Sequence, residues 1–291
     1  LIIIGSVGDP ASLGVFALMI GQRDQAFLEA ASRQVRYVLN DAPRVWNGAI
    51  SHRNDTPSVW VDFTYMAPPF LAYYAVTTQN TTMLRLAMQQ CDLQRQMLQA
   101  NMTATSQSKM QGLWHHIIGR DSYEPRLWST GNAWAAAGMA RVLATMIKWS
   151  ESASWTQEQE TITRWIREII DGAMKGSVIS VEPHSGLLRN YLNDTTWFGE
   201  AAGTALMASV VYRMAVLVPE VFSAESQYIN WAEGLRNAVA NHVDESGTLS
   251  PVIDPLNCGI KHFFASSSPE GQSFGVLLAA AYRDWKCSDI C

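Results

Sequence analysis

Three segments rich in small residues recur along this chain at one interval, and that interval restricts the fold more than any other feature. Gly131-Asn132-Ala133-Trp134-Ala135-Ala136-Ala137-Gly138-Met139-Ala140-Arg141 resembles Ala202-Gly203-Thr204-Ala205-Leu206-Met207-Ala208-Ser209. Both resemble Gly271-Gln272-Ser273-Phe274-Gly275-Val276-Leu277-Leu278-Ala279-Ala280-Ala281. Trp134, Thr204 and Phe274 stand 70 residues apart each time. An earlier member, Asp62 through Tyr74, sits one similar interval upstream, and Asp9 through Ile20 has the same character. A period of this size is the mark of stacked supersecondary units, none of which buries its apolar face alone.

Between these segments the spacing predicts amphipathic helices over roughly 24–40, 80–100, 157–173 and 225–243, with apolar residues three and four apart, as in Phe27, Ala31, Val35 and Val38. Charged residues such as Glu158, Glu160, Arg164, Arg167 and Glu168 fill the opposite face. Ala- and Gly-rich helices suit close packing inside; charged amphipathic ones suit an outer ring. Before each of the four later inner helices comes a Gly-led stretch: Gly48 to His52, Gly112 to His116, Gly186 to Arg189 and Gly247 to Ser250. Each reads as a short hairpin or loop feeding an inner helix.

Alternating inner and outer helices closed in a ring make an all-α, (α/α) six-hairpin toroid. The pattern supplies five inner and four outer helices, whereas a closed barrel of six hairpins needs six of each. Either the first helices lie upstream of this chain or the barrel is incomplete. No Pro-, Gly- or Ser-rich linker divides residues 1–291, so one catalytic domain is expected throughout.

Of the 291 residues 48% are hydrophobic and 16% charged, enough apolar material for a sizeable core. A net charge of -5 disfavours a nucleic-acid partner, whose phosphates want a basic face. No apolar run is long enough for a membrane span, and Leu1-Ile2-Ile3-Ile4-Gly5 is too short for a complete signal peptide. Sequons at Asn54, Asn80, Asn101 and Asn193 lean toward a secreted, extracellular glycoprotein. Cys91, Cys258, Cys287 and Cys291 fit no zinc spacing and leave both late disulfides and buried thiols open. Eleven Trp leave two readings open, core aromatics and indoles that stack on the apolar face of a sugar ring.

The repeat also gives a site an address. Segments at the N-termini of inner helices meet at one mouth of a toroid, and Asp9, His52, Asp62, His115, His116, Trp128, Asn132 and Glu200 all fall there by position. Asp62 lies among aromatics at the start of a buried helix, where desolvation would raise its pKa and the helix N-terminus would lower it. It is either an N-cap or a functional acid/base, and the latter fits its setting better. Asp9, before Pro10, is a cap or the second member of a carboxylate pair whose pKa values would be pushed apart. His115 and His116 alternate faces if extended, so one at most points inward. No His-x3-His or His-Glu-x2-His pattern appears, so no metal and no cofactor is expected. Trp128, on a loop, suits sugar stacking; Trp134, inside its helix, suits stacking or core. Nucleophile elbow, P-loop and dinucleotide fingerprint are all missing.

Trp60-Val61-Asp62-Phe63-Thr64-Tyr65-Met66-Ala67 resembles the Trp-x-Asp-x-x-Tyr-Met-Ala signature of the unsaturated rhamnogalacturonyl hydrolases, glycoside hydrolase family 105, which are related to the unsaturated glucuronyl hydrolases. Gly112-Leu113-Trp114-His115-His116 is similar to their Gly-Leu-aromatic-x-His segment. Trp128-Ser129-Thr130-Gly131-Asn132-Ala133-Trp134 is similar to their Trp-x-Arg-Gly-Asn-x-Trp, and Glu270-Gly271-Gln272-Ser273-Phe274 fits their last inner helix. The likeness runs from about residue 5 to the end and looks like a fungal branch. It implies a six-hairpin barrel that removes 4,5-unsaturated uronic acid from the non-reducing end of pectin-derived oligosaccharides. In such enzymes an aspartic acid protonates C4, water adds at C5, and the hemiketal collapses with release of the aglycone. Carried over by motif, Asp62 matches the general acid/base and Asp9 the supporting carboxylate. His52, His116, Trp128, Asn132 and Trp134 match substrate-binding positions.

One position departs from the pattern. Thr130 stands where the family has an Arg that pairs with the substrate carboxylate, and a hydroxyl cannot reproduce bidentate recognition. Arg120, Arg126 and Arg53 are the nearby substitutes. Two other readings stay open: a non-catalytic carbohydrate-binding or scaffold toroid, and an inverting glycosidase acting on saturated glycosides.

Overall fold

The computed structural model describes residues 5–101, 110–264 and 267–288. Its helices are α1 (Gly8–Ser12), α2 (Gly14–Gly21), α3 (Gln25–Arg36), α4 (Phe63–Thr77), α5 (Thr81–Leu98), α6 (Ser129–Lys148), α7 (Thr156–Lys175), α8 (Ser177–Ser180), α9 (Ala201–Leu217), α10 (Gln227–Ala240) and α11 (Pro269–Ser288). Two short strands, β1 (Ser58–Trp60) and β2 (Ile117–Gly119), pair antiparallel with Ser58 opposite Gly119 and Trp60 opposite Ile117. The chain divides into two compact units. The first comprises Leu1–Gln99, Trp114–Pro125 and Gly138–Ile166; the second comprises Ala100–Leu113, Arg126–Ala137 and Arg167–Cys291.

Inner and outer helices separate by burial as their composition demands. In the second unit, α9 buries every residue from Ala201 to Tyr212, because its Ala, Gly and Ser side chains let neighbours approach on all sides. It packs against amphipathic α10 and against α11. In the first unit, α4 packs against α5 and α1, and α2 against α3. The outer helices begin on the side-chain caps expected of Asp, Asn and Ser. Asp24 accepts from Ala26 N, Asn80 from Thr82 N and Ser226 from Ile229 N.

Each Gly-led stretch is a turn closed by one β-bridge. Gly48, Gly112, Gly186 and Gly247 all have positive φ, between 71° and 104°, a region that residues with a Cβ enter only at a cost. The bridges Arg44 to Ile50, Gln99 to Trp114, Val181 to Leu188 and Val243 to Leu249 follow them. A single bridge of this kind turns the chain back toward the next inner helix.

The first inner helix differs from the expected unbroken span. It is split at Leu13 into α1 and α2, beside Gly14, whose bare Cα lies against the ring of Phe70; a Cβ there would fall 2.3 Å from that ring. Pro68 and Pro69 sit inside α4, and neither has an N–H for the carbonyls four residues earlier. The structure compensates within the same unit. Arg141 Nη1 donates to Tyr65 O at 3.5 Å, and Gly138 brings its Cα against Thr64 O. Cys91 is a free and fully buried thiol, so desolvation raises its pKa well above the ordinary range. Cys291, the Leu1–Ile4 opening and the residues after Asn101 in its sequon lie outside the described residues.

Candidate active site

The two-stranded ladder places Asp62 and His116 side by side. β1 ends at Trp60 opposite Ile117, and the next step of pairing is the bond from Val61 N to His116 O, 2.9 Å. Asp62 follows at once, at the N-terminus of α4. Its carboxyl makes no capping hydrogen bond, so the cap reading fails for this residue. Instead Oδ2 lies 3.5 Å from His116 Nε2, at the outer limit of a hydrogen bond. The Asp62 side chain keeps 18% of its surface exposed while that oxygen is itself buried.

His52 comes to the same place from the other side of the unit. Its backbone is tied to both flanking segments: Val7 N donates to His52 O at 2.8 Å, and His52 N donates to Ser58 O at 2.9 Å. Its imidazole stacks on Trp60, with ring centres 4.7 Å apart and planes 20° apart, and meets Phe63 edge-on. Trp60 presents an edge-on contact to His116 at 5.9 Å. Gly8 makes room for the imidazole, since a Cβ there would lie 2.7 Å from His52 Nδ1. That nitrogen is buried and has no hydrogen-bond partner among the described residues. Asp9 follows Gly8 in α1, its N–H donating to Ser6 Oγ at 3.1 Å, and its charge is felt at His52.

The electrostatics of this cluster differ from the expected carboxylate pair. Burial is the largest influence on Asp62 and pushes its carboxyl up. The hydrogen bond and charge of His116, with the charge of His52, more than offset it and hold the carboxyl below the usual aspartate range. The histidines therefore set its protonation. Burial lowers the pKa of His52, and the charges of Asp62 and Asp9 oppose that shift without reversing it. His115, as the alternation required, faces elsewhere: its Nδ1 is hydrogen-bonded to the carbonyl of Pro125.

The structure ties the expected residues of the second unit to their neighbours. Trp128 is 1% exposed and packs with Tyr191, Trp197, Ile253 and Cys258, its Nε1 donating to Asn190 Oδ1 at 3.0 Å. An indole so enclosed presents no open face to a sugar, which corrects its reading as a platform. Asn132 donates from Nδ2 to Trp128 O, four residues back, at 2.9 Å. Trp134 donates to Glu270 Oε1 at 3.0 Å and sits edge-on to Phe274. Glu200 is a fully buried N-cap of α9: it accepts from Ala202 N, Gly203 N and Ile253 N, and from the Thr130 hydroxyl at 3.2 Å. Burial pushes its carboxyl up, while these donors pull it down less strongly. Thr130 is thus a partner of Glu200. Of the three arginines expected as substitutes, Arg53 pairs with Asp55, Arg126 lies over Tyr191 at 4.0 Å, and Arg120 lines a surface groove.

Trp60 and Gly8 belong to the cluster but carried no assigned role in the sequence. Trp60 stood inside the quoted motif two residues before Asp62, the one signal that could have marked it. Gly8 gave none, because its part depends on a ring 44 positions away. Among the described residues no group of three or more His, Cys, Asp or Glu is placed to hold a metal ion, and no helix is long and apolar enough to cross a membrane.

The chain is 22% identical over 241 residues to the unsaturated rhamnogalacturonyl hydrolase YesR of Bacillus subtilis (strain 168), matching 79% of this chain and 61% of that protein. It therefore spans about three fifths of the length of that curated relative. Among solved structures, a possible member of family GH105 from Salmonella enterica serovar Paratyphi A superposes with a TM-score of 0.78 at 21% identity, over 96% of this chain and 72% of the other. The unsaturated glucuronyl hydrolase of Bacillus sp. GL1 superposes with a TM-score of 0.61 at 14% identity, over 95% and 73%. At these identities the likeness shows the fold, the all-α six-hairpin architecture of those proteins. The model of Glycosyl Hydrolase Family 88 matches residues 11–280, nearly the whole chain, and this protein belongs to that family.

Proposed function

We propose that this protein removes a 4,5-unsaturated uronic acid from the non-reducing end of pectin-derived oligosaccharides by hydrating the C4–C5 double bond. The observation that carries the reading is the Asp62 carboxyl: it sits at a helix N-terminus without capping it, faced by His116 and beside His52, which is braced on Trp60. An acid in that setting is in place to exchange protons rather than to staple the helix. The relative named an unsaturated rhamnogalacturonyl hydrolase supports the substrate class.

Hydration requires a proton at C4 and the oxygen of a water molecule at C5. His116 and His52 hold the Asp62 carboxyl down in the free protein, and the negative charge of a bound uronate raises it, so that the acid form gives its proton to C4 and the carboxylate left behind takes one from the attacking water, ending as it began. His52 and His116 orient the sugar through ring nitrogens. The water oxygen bonds to C5, the proton to C4, and the hemiketal then opens with release of the aglycone alcohol. Absorbance near 235 nm reports the double bond. Its loss with unsaturated rhamnogalacturonan disaccharide is the expected result; unchanged absorbance with both that compound and an unsaturated glucuronan disaccharide rejects the reading. We also propose secretion, on the sequons at Asn54, Asn80, Asn101 and Asn193, which a mass shift on enzymatic deglycosylation of protein from its native source checks.

A further inference from the structure

A surface groove of about 380 Å³ lies in the first unit, lined by Trp46, Pro57, Met97, Ile118, Arg44 and Arg120. Its size is within the range of small-molecule sites, roughly 300–1,000 Å³. Two features set it apart from an ordinary surface depression. Trp46 is 87% exposed, which places a whole indole in water beside an apolar floor. An exposed indole at the edge of a groove offers a flat apolar face to a ligand that lies in it. Arg120 is exposed and forms no ion pair among the described residues.

The turn that carries Trp46 is held in place. Arg44 donates from Nη1 to Gly48 O and from Nη2 to Leu39 O, both at 2.9 Å. Asn47 Nδ2 donates to Leu93 O at 2.9 Å, and Val45 N to Ala49 O at 2.9 Å. Such bonding fixes the backbone turn that carries the indole, so that turn needs no ordering when a flat apolar surface lands on it. A sugar ring offers that surface, and a uronate adds the carboxylate that an arginine recognises. The groove lies at the Ser58–Gly119 end of the β1–β2 ladder, while Asp62 and His116 follow its Trp60–Ile117 end, two residues or about 7 Å along the strand.

We propose that this groove is a second saccharide site, in which Trp46 stacks on a pyranose ring and Arg120 pairs with a uronate carboxylate of an acidic oligosaccharide. The choice of an acidic sugar rests on the function proposed above; the site itself rests on Trp46 and its rigid turn. The test is titration calorimetry of the full chain with a saturated oligogalacturonate tetramer, which has no C4–C5 double bond to hydrate. Trp46→Ala and Arg120→Gln are each expected to weaken binding about tenfold, as loss of a stacking or charge-assisted contact should, while turnover of an unsaturated disaccharide stays within about twofold of the parent. A neutral tetramer, maltotetraose, should bind at least about tenfold more weakly than the oligogalacturonate, for want of a carboxylate. The proposal is overturned if either variant binds as the parent does, if maltotetraose binds equally well, or if Trp46→Ala abolishes disaccharide turnover. The two readings fail separately. Trp46-dependent binding without any turnover rejects the catalytic proposal and keeps the groove, and turnover with Trp46-independent binding does the reverse.

Discussion

His116 Nε2 stands 3.5 Å from Asp62 Oδ2, and the carboxyl makes this pairing in place of a helix cap. The antiparallel ladder of β1 and β2 produces it, because pairing Trp60 with Ile117 delivers the next residues of both strands to each other. His116 is buried, so its ring cannot be relaxed away by solvent.

Replacing Asp62 by Asn should abolish proton exchange and leave the helix intact. Turnover of the unsaturated disaccharide should fall by about 10²–10⁴-fold, the range for loss of a general acid/base. The thermal midpoint should fall modestly at neutral pH, because the stability contributed by the depressed carboxyl is lost although no capping bond is. Activity at the parent level would show that the proton passes elsewhere.

His116→Gln should change the pH profile as well as the rate. With the histidine gone, burial dominates and the Asp62 carboxyl rises, so the acidic limb of kcat/KM moves to higher pH. Stability follows the same sign. A carboxyl whose folded pKa is depressed stabilises the protein above the ordinary aspartate pKa and loses that contribution as pH falls through its lowered value. The parent should therefore lose this contribution as pH falls from the usual aspartate range toward the lowered value, whereas the variant, its carboxyl no longer depressed, should lack it already at neutral pH. Thermal melts and rates from pH 3 to 7 read both effects.

Gly8→Ala should push the imidazole of His52 off Trp60, because the new Cβ would fall 2.7 Å from Nδ1 and 2.8 Å from Met66 Sδ. Overpacking of this kind costs about 1–3 kcal/mol. Activity should drop more than stability explains, which rates measured well below the melting temperature would reveal.

Trp128→Ala separates core from platform. A buried indole replaced by Ala costs about 3–5 kcal/mol, seen as a lowered denaturation midpoint. An unchanged midpoint with a raised KM would restore the stacking role. Glu200→Ala should cost about 1–2 kcal/mol through the lost cap, since at least two backbone N–H groups of α9 lose their acceptor.

The fold and the site were legible to different depths, and particular residues show why. The 70-residue recurrence of Trp134, Thr204 and Phe274, the amphipathic runs between them and the Gly-led turns are local periodicities, so sequence alone determined the all-α hairpin plan and the positive-φ positions. The order of motifs, with Asp62 inside one of them, pointed to the family. Chemistry at a site depends instead on distances between residues far apart in the chain. Only the tertiary structure decided that Asp62 leaves its helix uncapped and answers to His116, whereas Glu200, another acid before an inner helix, is fully engaged as a cap. Only packing decided that Trp128 is enclosed while Trp46, in a stretch the repeat ignores, stands in water. An acid's protonation and an indole's exposure are set by what surrounds them, and those surroundings are assembled only when the chain has folded.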